Sequence, residues 1–411
     1  MVPDSTDFLR HFRSLSAIGA TDNGGVERQA GSPADGQTRQ WFRGLMEAMG
    51  FTVEQDVIGN QFALLEFDSA LPWIGVGSHL DSQPRAGRFD GAYGVLAGAH
   101  AAARLRNTED ARFNLAVINW FNEEGGRFPP SMMGSSVFTR KLDLDDALAA
   151  TDASGTTVAT ALSDMSAVGT HEVELAAFVE VHIEQGRELD ASGTQIGVVE
   201  STWGARKLTC RVVGDQAHTG ATLFEDRHDA LLAGASLVTA ARDVAEQFSD
   251  DGAPVISACG EFHVVPNSPV VVPSRVDLRV DFRSPEPERL DALIEEFERR
   301  AEQAARRANV DIDLQLEHSW PVQHYDRAGV ELAQAAAQKL GLSYRLMRTL
   351  AGHDSTNVKD VAPTVMLFVP SVDGISHNER EFTRDEDMLA GVDMTTEVLR
   401  RILRGDLVQD S

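Results

Sequence analysis

The chain has 411 residues, 42% hydrophobic and 24% charged, with 63 acids against 37 bases and a formal net charge of −26. That length exceeds what one core usually fills, so two domains are expected, and the composition is that of an ordinary soluble globular protein. Such a charge disfavours nucleic acid and anionic membrane as partners, and no apolar run reaches the length of a bilayer span.

Lysine occurs only at Lys141, Lys207, Lys339 and Lys359. An acidic, lysine-poor surface stays hydrated and self-repelling where salt screens charge within about 3 Å, as at 1 M. The composition therefore points to a salty cytoplasm such as that of a halophilic microbe. The opening MVPDSTDFLRHFRSLSA carries an early acid and no apolar segment, unlike a secretory signal. Cys210 and Cys259 are the only cysteines, which argues for a reducing cytoplasm and against a disulfide scaffold.

Along the chain, the helical pattern DGQTRQWFRGLMEAMG precedes the apolar run LPWIGVGSH, and DGAYGVLAGAHAAARLR (Asp90 to Arg106) reads as a small-residue helix packed closely on a sheet. The runs FNLAVINWF and ELAAFVEVH follow. Short apolar runs alternating with helices predict a layered α/β sheet. From about 206 the order becomes strand, helix, strand, strand, helix, strand. Its members are ARKLTCRVV, RHDALLAGASLVTAARDVAEQF, ACGEFHVV, SRVDLRVDF, EPERLDALIEEFERRAEQAARRA and DIDLQLEH. This is the split βαβ sandwich pattern. The helix RAGVELAQAAAQKLG, the strand PTVMLFVPS and a closing helix then return to the first sheet.

Chemistry-bearing residues gather where those runs end. His79 and Asp81 close IGVGSHLD, Asp90 opens a helix, and Glu123 and Glu124 close LAVINWF. His182 and Glu184 close FVEVHIE, and His377 follows TVMLFVPS in VDGISHNERE. Open α/β sheets place their sites at the C-terminal ends of strands. Imidazole and carboxylate suit zinc, manganese, cobalt or nickel. Three histidines, a bridging aspartate and a glutamate can hold two divalent ions about 3.5–4 Å apart. The adjacent glutamates then divide the work. One is a ligand and stays ionised; the other faces the reacting water and carries a proton. His353 and Asp354 in AGHDSTN are candidates to line the same cleft, and Arg127 to fix the loop after the glutamate pair. The remaining histidines, His11, His100, His171, His228, His263, His318 and His324, read as structural or exposed.

The stretches GSHLDSQPRAGRFDG, NEEGGRF, VEVHIEQG, GDQAHTGAT and PSVDGISHNERE resemble the hydantoinase/carbamoylase-type amidohydrolases, nearly end to end and in the family's order. That family includes N-carbamoyl-L-amino acid hydrolases, allantoate amidohydrolases and β-ureidopropionases, and is related to di-zinc aminoacylases and dipeptidases. The resemblance implies a di-metal α/β catalytic domain, helices on a mixed sheet, from residues 1–205 and 322–411. Residues 206–321 would form an inserted ferredoxin-like α+β lid that also makes a homodimer. It implies that His79 and His182 bind one ion, Glu124 and His377 the other, and that Asp90 bridges them, zinc being the first choice of metal. Asp81 would orient His79 through its second ring nitrogen, and Glu123 would be the general base and acid. His218 would stabilise the oxyanion, often across the dimer, while Gln185 and Arg283 would hold the substrate's amide and carboxylate. Where the family has a second asparagine before that arginine, this chain has Val270, with Asn267 three residues earlier.

The implied reaction is hydrolysis of a linear carbon–nitrogen bond, first of all in an N-carbamoyl-L-amino acid, releasing the amino acid, carbon dioxide and ammonia. Allantoate or another ureido acid is the alternative, followed by aminoacylase or dipeptidase substrates. A catalytically idle, metal-containing binding protein is the reading from another class. Glu123 argues against it, because binding alone needs no base.

Overall fold

Four apolar runs become parallel neighbours. In the computed structural model, which describes residues 4–250 and 254–408, Asn114–Trp120, Trp73–His79, Leu175–Ile183 and Thr364–Val369 lie side by side. Their side chains are buried almost without exception, as strands covered on both faces require. Further strands extend the sheet to eight: Gln61–Leu65, antiparallel to Asn114–Trp120, and then Thr52–Gln55 on one side; Ile196–Thr202, antiparallel to Thr364–Val369, and then Tyr344–Thr349 on the other. Sequence periodicity misses these flanking strands. All four carry polar residues beside the apolar ones, so no clear period of two emerges.

The helices that cover this sheet start where local chemistry permits. Pro33–Ala48 opens with Ser32 accepting the Asp35 amide and proline at its first turn. Ala92–Arg104 is buried along nearly its whole length, its alanines and glycines lying against the parallel strands and against the closing helix Asp385–Leu403. Three short helices, Met133–Phe138, Leu144–Ala149 and Val158–Asp164, surround a smaller core with Phe121 and Phe128.

The chain divides into two compact units. One runs to Glu200 and resumes at Tyr325; the other is Ser201–His324. The second unit is a four-stranded antiparallel sheet in the order Asp311–Trp320, Gly204–Val213, Arg275–Ser284, Ile256–Val265. Its helices Ala230–Phe248 and Pro287–Ala308 bury one sheet face around Leu237, Phe282 and Phe297. The other face carries ion pairs, including Arg211–Asp277 at 2.9 Å and Arg279 with Glu261 and Glu317 at 3.0 and 3.2 Å. A two-stranded sheet, Ala217–His218 with Val271–Val272, is too short for any periodicity to announce. Among the described residues no helix is long and apolar enough to cross a membrane.

His100 is fully buried in the first unit, its Nε2 3.0 Å from Nδ1 of His11, while its Nδ1 has no hydrogen-bond partner. Burial, then the neighbouring His11, lowers the His100 pKa to about 3. Between that value and the ordinary 6.5, the unfolded chain binds a proton that the native ring refuses. Stability is therefore full above about pH 6.5 and falls on acidification by about 1.4 kcal/mol per pH unit. His100→Phe is expected to remove about 2 kcal/mol of the loss between pH 7 and pH 5, measured by urea unfolding in chelator. Equal pH dependence in the two proteins would rule this out.

Candidate metal centre

The parallel strands deliver their last residues to one place. His79 ends its strand in register with Trp120, so the chain leaving Trp120 brings Glu123 and Glu124 beside it. Asn122 and Gly125 take left-handed backbone angles that turn the glutamate pair over the strand ends. The Asp81 carboxylate fixes that turn by accepting the amides of Glu123 at 3.2 Å and Glu124 at 3.3 Å. Asp81 also faces the His79 ring. Its backbone carbonyl meets His79 Nδ1 at 3.1 Å, whereas its carboxylate is 3.6 Å away.

Asp90 lies at the centre. One oxygen faces His182 Nε2 at 2.9 Å and His79 Nε2 at 3.5 Å; the other faces His377 Nε2 at 3.2 Å. His377 Nε2 also reaches Glu124 at 3.4 Å. Two clusters of potential ligands result, His79–Asp90–His182 and Asp90–Glu124–His377, with Asp90 common to both. Glu123 belongs to neither, yet its Oε2 is 3.6 Å from His79 Nε2. All are buried except His377, which is half exposed.

The tautomers favour a cation between these groups. Nδ1 of His182 donates to the Ile183 carbonyl at 2.8 Å, and Nδ1 of His79 has the Asp81 carbonyl as its partner. Each neutral ring then holds its hydrogen on the outer nitrogen and aims the Nε2 lone pair inward, as ligating histidines do. Gly91 donates its amide to His182 Nε2 at 3.1 Å, a contact that an ion would displace. Gly91 has no substitute here. Its φ is +61°, and a Cβ would stand 2.3 Å from the His79 ring.

Electrostatics agree with the geometry. Burial and Asp90 push Glu124 up to about 7, and burial holds Glu123 well above the usual carboxylate range. Burial opposes charge on His79, but Glu123, Asp81 and Asp90 outweigh it and raise its pKa well above the ordinary value. The Asp90 hydrogen bond raises His377 to about 9. The carboxylates therefore draw positive charge inward, and divalent cations would supply it from fixed positions.

The other expected residues fall as follows. Gln185, with φ +57°, donates Nε2 to Asp90 at 2.8 Å, so it grips the central carboxylate, while its Oε1 is buried without a partner. His353 packs its ring 4.6 Å from His182 and meets Thr349 Oγ1 at 3.1 Å, a place behind a ligand rather than on an open wall. Asp354 is fully buried beside it, and burial, then Glu180, raises its pKa well above normal. Glu184 accepts the Glu188 and Leu189 amides at 2.7 and 2.9 Å and so starts a short helix. Arg127 holds Asp152 at 3.0 Å and the Ala30 carbonyl at 3.3 Å, so it fixes its loop.

His218 and Arg283 belong to the second unit. His218 is exposed, and its Nδ1 accepts the Gly220 amide at 3.0 Å, which leaves Nε2 carrying the hydrogen of the neutral ring. Arg283 is held by Asp281 through Nη2 at 3.0 Å and Nε at 3.3 Å. Val270 is largely exposed and accepts the amide of Thr219, the residue after His218, at 3.5 Å.

The model of the peptidase family M20/M25/M40 matches residues 75–401. The chain belongs to this family. A Mycolicibacterium smegmatis protein named only as a hydrolase is 53% identical over 98% of this chain and 94% of its own length. An N-carbamoyl-L-amino-acid amidohydrolase of Rhizobium meliloti is 36% identical over 92% of each. A hydantoinase/carbamoylase family amidase of Burkholderia vietnamiensis has a structure alike at TM-score 0.88 and 33% identity, covering 99% of this chain and 98% of that one. Enzymes of the M20 family use divalent metal ions, and this member is an amidohydrolase with two potential ligand clusters.

Three contributors to the centre escape the sequence reading. Gln83 donates to Glu124 from its backbone at 3.2 Å and from its side chain at 2.9 Å. Ser376 and Glu381 contact Asp90 at 3.2 Å and, through its amide, at 3.1 Å. All three lie within quoted motifs, but their partners are far along the chain and spacing cannot pair them.

Proposed function

We propose that this M20 member hydrolyses N-carbamoyl-L-amino acids at a two-ion centre. The observation that carries this is the pair of ligand clusters sharing Asp90 with the non-ligand Glu123 at their edge. The identity to the Rhizobium meliloti enzyme supports the substrate class. Bound divalent ions would supply Lewis acidity at the ureido carbonyl and ease ionisation of water.

The chain's own residues do the rest. His79, His182, Glu124, His377 and Asp90 would hold the ions. Glu123 takes a proton from water at Oε2 and returns it to the leaving nitrogen; its buried setting raises its pKa and makes it a competent acid afterwards. His218, in its second unit, offers an Nε2 hydrogen to the developing oxyanion, an interaction of about 2.7–4 kcal/mol in comparable sites. Arg283 binds the substrate carboxylate with its planar fork, and Asp281 sets the fork's orientation. With Val270 supplying no polar atom from its side chain, the carboxylate depends more heavily on Arg283. Residues 201–324 would act as the lid and dimerisation domain, in a cytoplasmic homodimer.

The test is hydrolysis of a panel of N-carbamoyl-L-amino acids, allantoate and N-acyl amino acids, read as ammonia release for the ureido compounds and as free amino acid for the N-acyl ones, with and without chelator and at high salt. The carbamoyl compounds are expected to lead and the chelator to abolish turnover. A faster rate with allantoate would shift the substrate within the same site. Cleavage of the N-acyl compounds alone would overturn the ureido assignment.

A further inference from the structure

Glu381 has no role in the chemistry above, yet it is 4% exposed and sits against the residue common to both ligand clusters. Its Oε1 accepts the amides of Phe89 at 3.0 Å and Asp90 at 3.1 Å. Its Oε2 meets the Ser376 hydroxyl at 2.9 Å, and that hydroxyl is also 3.2 Å from Asp90 Oδ2. Ser376 immediately precedes His377, whose left-handed backbone, φ +51°, needs support from its surroundings. One buried carboxylate therefore joins the segment that carries Asp90 to the loop that carries His377.

Gly87 shows how closely that carboxylate is seated. A Cβ at this position would stand 2.0 Å from Glu381 Oε1 and 2.4 Å from its Cβ. The glycine of the stretch RAGRFD thus keeps open the space that the Glu381 side chain fills. The surface end of the same loop is tied separately, by Glu379 accepting Thr21 Oγ1 at 2.5 Å and Asn23 Nδ2 at 2.9 Å.

We propose that Glu381 is the positioning residue of the centre: it sets Asp90 and His377 at the separation that lets both hold an ion. The half-exposed His377 is the ligand with least packing around it, so its geometry depends on this tie more than that of the buried histidines. The inference rests on the metal-centre reading above, and its test separates the two.

Metal-free full-length protein is titrated calorimetrically with manganese(II), and its melting temperature is recorded without metal. Glu381→Ala is expected to weaken manganese binding by about 10–100-fold, the usual range for residues that orient ligands. Glu381→Gln keeps an acceptor for both amides and a polar contact for Ser376, so it is expected to stay within about threefold of the parent. Gly87→Ala, which displaces the carboxylate without changing any charge, is expected to weaken binding in the same direction as Glu381→Ala, and it decides the matter if Glu381→Ala does not fold. A lower melting temperature with unchanged manganese affinity in Glu381→Ala or Gly87→Ala makes the residue merely structural and overturns the proposal. If the parent protein itself binds no manganese, the metal-centre reading fails first and this one with it.

Discussion

Glu123→Gln is expected to bind metal with the stoichiometry of the parent and to lose about 10²–10⁴-fold in turnover, the usual contribution of a general acid–base. The substitution preserves size and shape but removes the site at which a proton is taken up and released. It leaves both ligand clusters intact, because Glu123 belongs to neither. Its backbone amide remains bound to Asp81, so the strand-end turn and Glu124 keep their places. Metal analysis beside steady-state rates therefore separates loss of chemistry from loss of the centre. If the variant retained more than about a tenth of the parent rate, the acid–base role would pass to another group.

The same pair shows how much the sequence could tell. Two adjacent carboxylates after an apolar run are ordinary on a solvated loop. What marked Glu123 and Glu124 was that His79, His182 and His377 also follow strand ends, and a parallel sheet places all such ends along one edge. The long apolar runs and the split βαβ order were legible because their periods persist over many residues. The strands Gln61–Leu65 and Tyr344–Thr349 were not, being short and defined by neighbours distant in sequence. Local spacing likewise showed only part of what surrounds Asp81. Its carboxylate lies 3.6 Å from the His79 ring and also accepts amides some forty residues away. Gln185 fared similarly. The family resemblance implies that it holds the substrate's amide, and its left-handed backbone also turns its own side-chain amide onto Asp90, which spacing does not show. Such contacts depend on tertiary hydrogen-bond partners that no periodicity encodes.

Asp90→Asn is expected to remove more metal than any other single ligand change. Each histidine, and Glu124, enters one cluster; Asp90 enters both, with a different oxygen toward each. An asparagine keeps the shape and can still meet Gln185 and Ser376, but it offers one acceptor oxygen instead of two and no charge. One ligand cluster then loses an oxygen, and both lose the negative charge that opposes the ions' mutual repulsion. His182→Ala and Glu124→Ala should each weaken chiefly their own cluster. Elemental analysis after dialysis should therefore find well under one ion per chain in Asp90→Asn and an intermediate content in the other two. Turnover should fall with the metal, unlike in Glu123→Gln. An Asp90→Asn protein that kept the parent's full metal content would show that the carboxylate does not bridge, and the two clusters would have to be treated as independent sites.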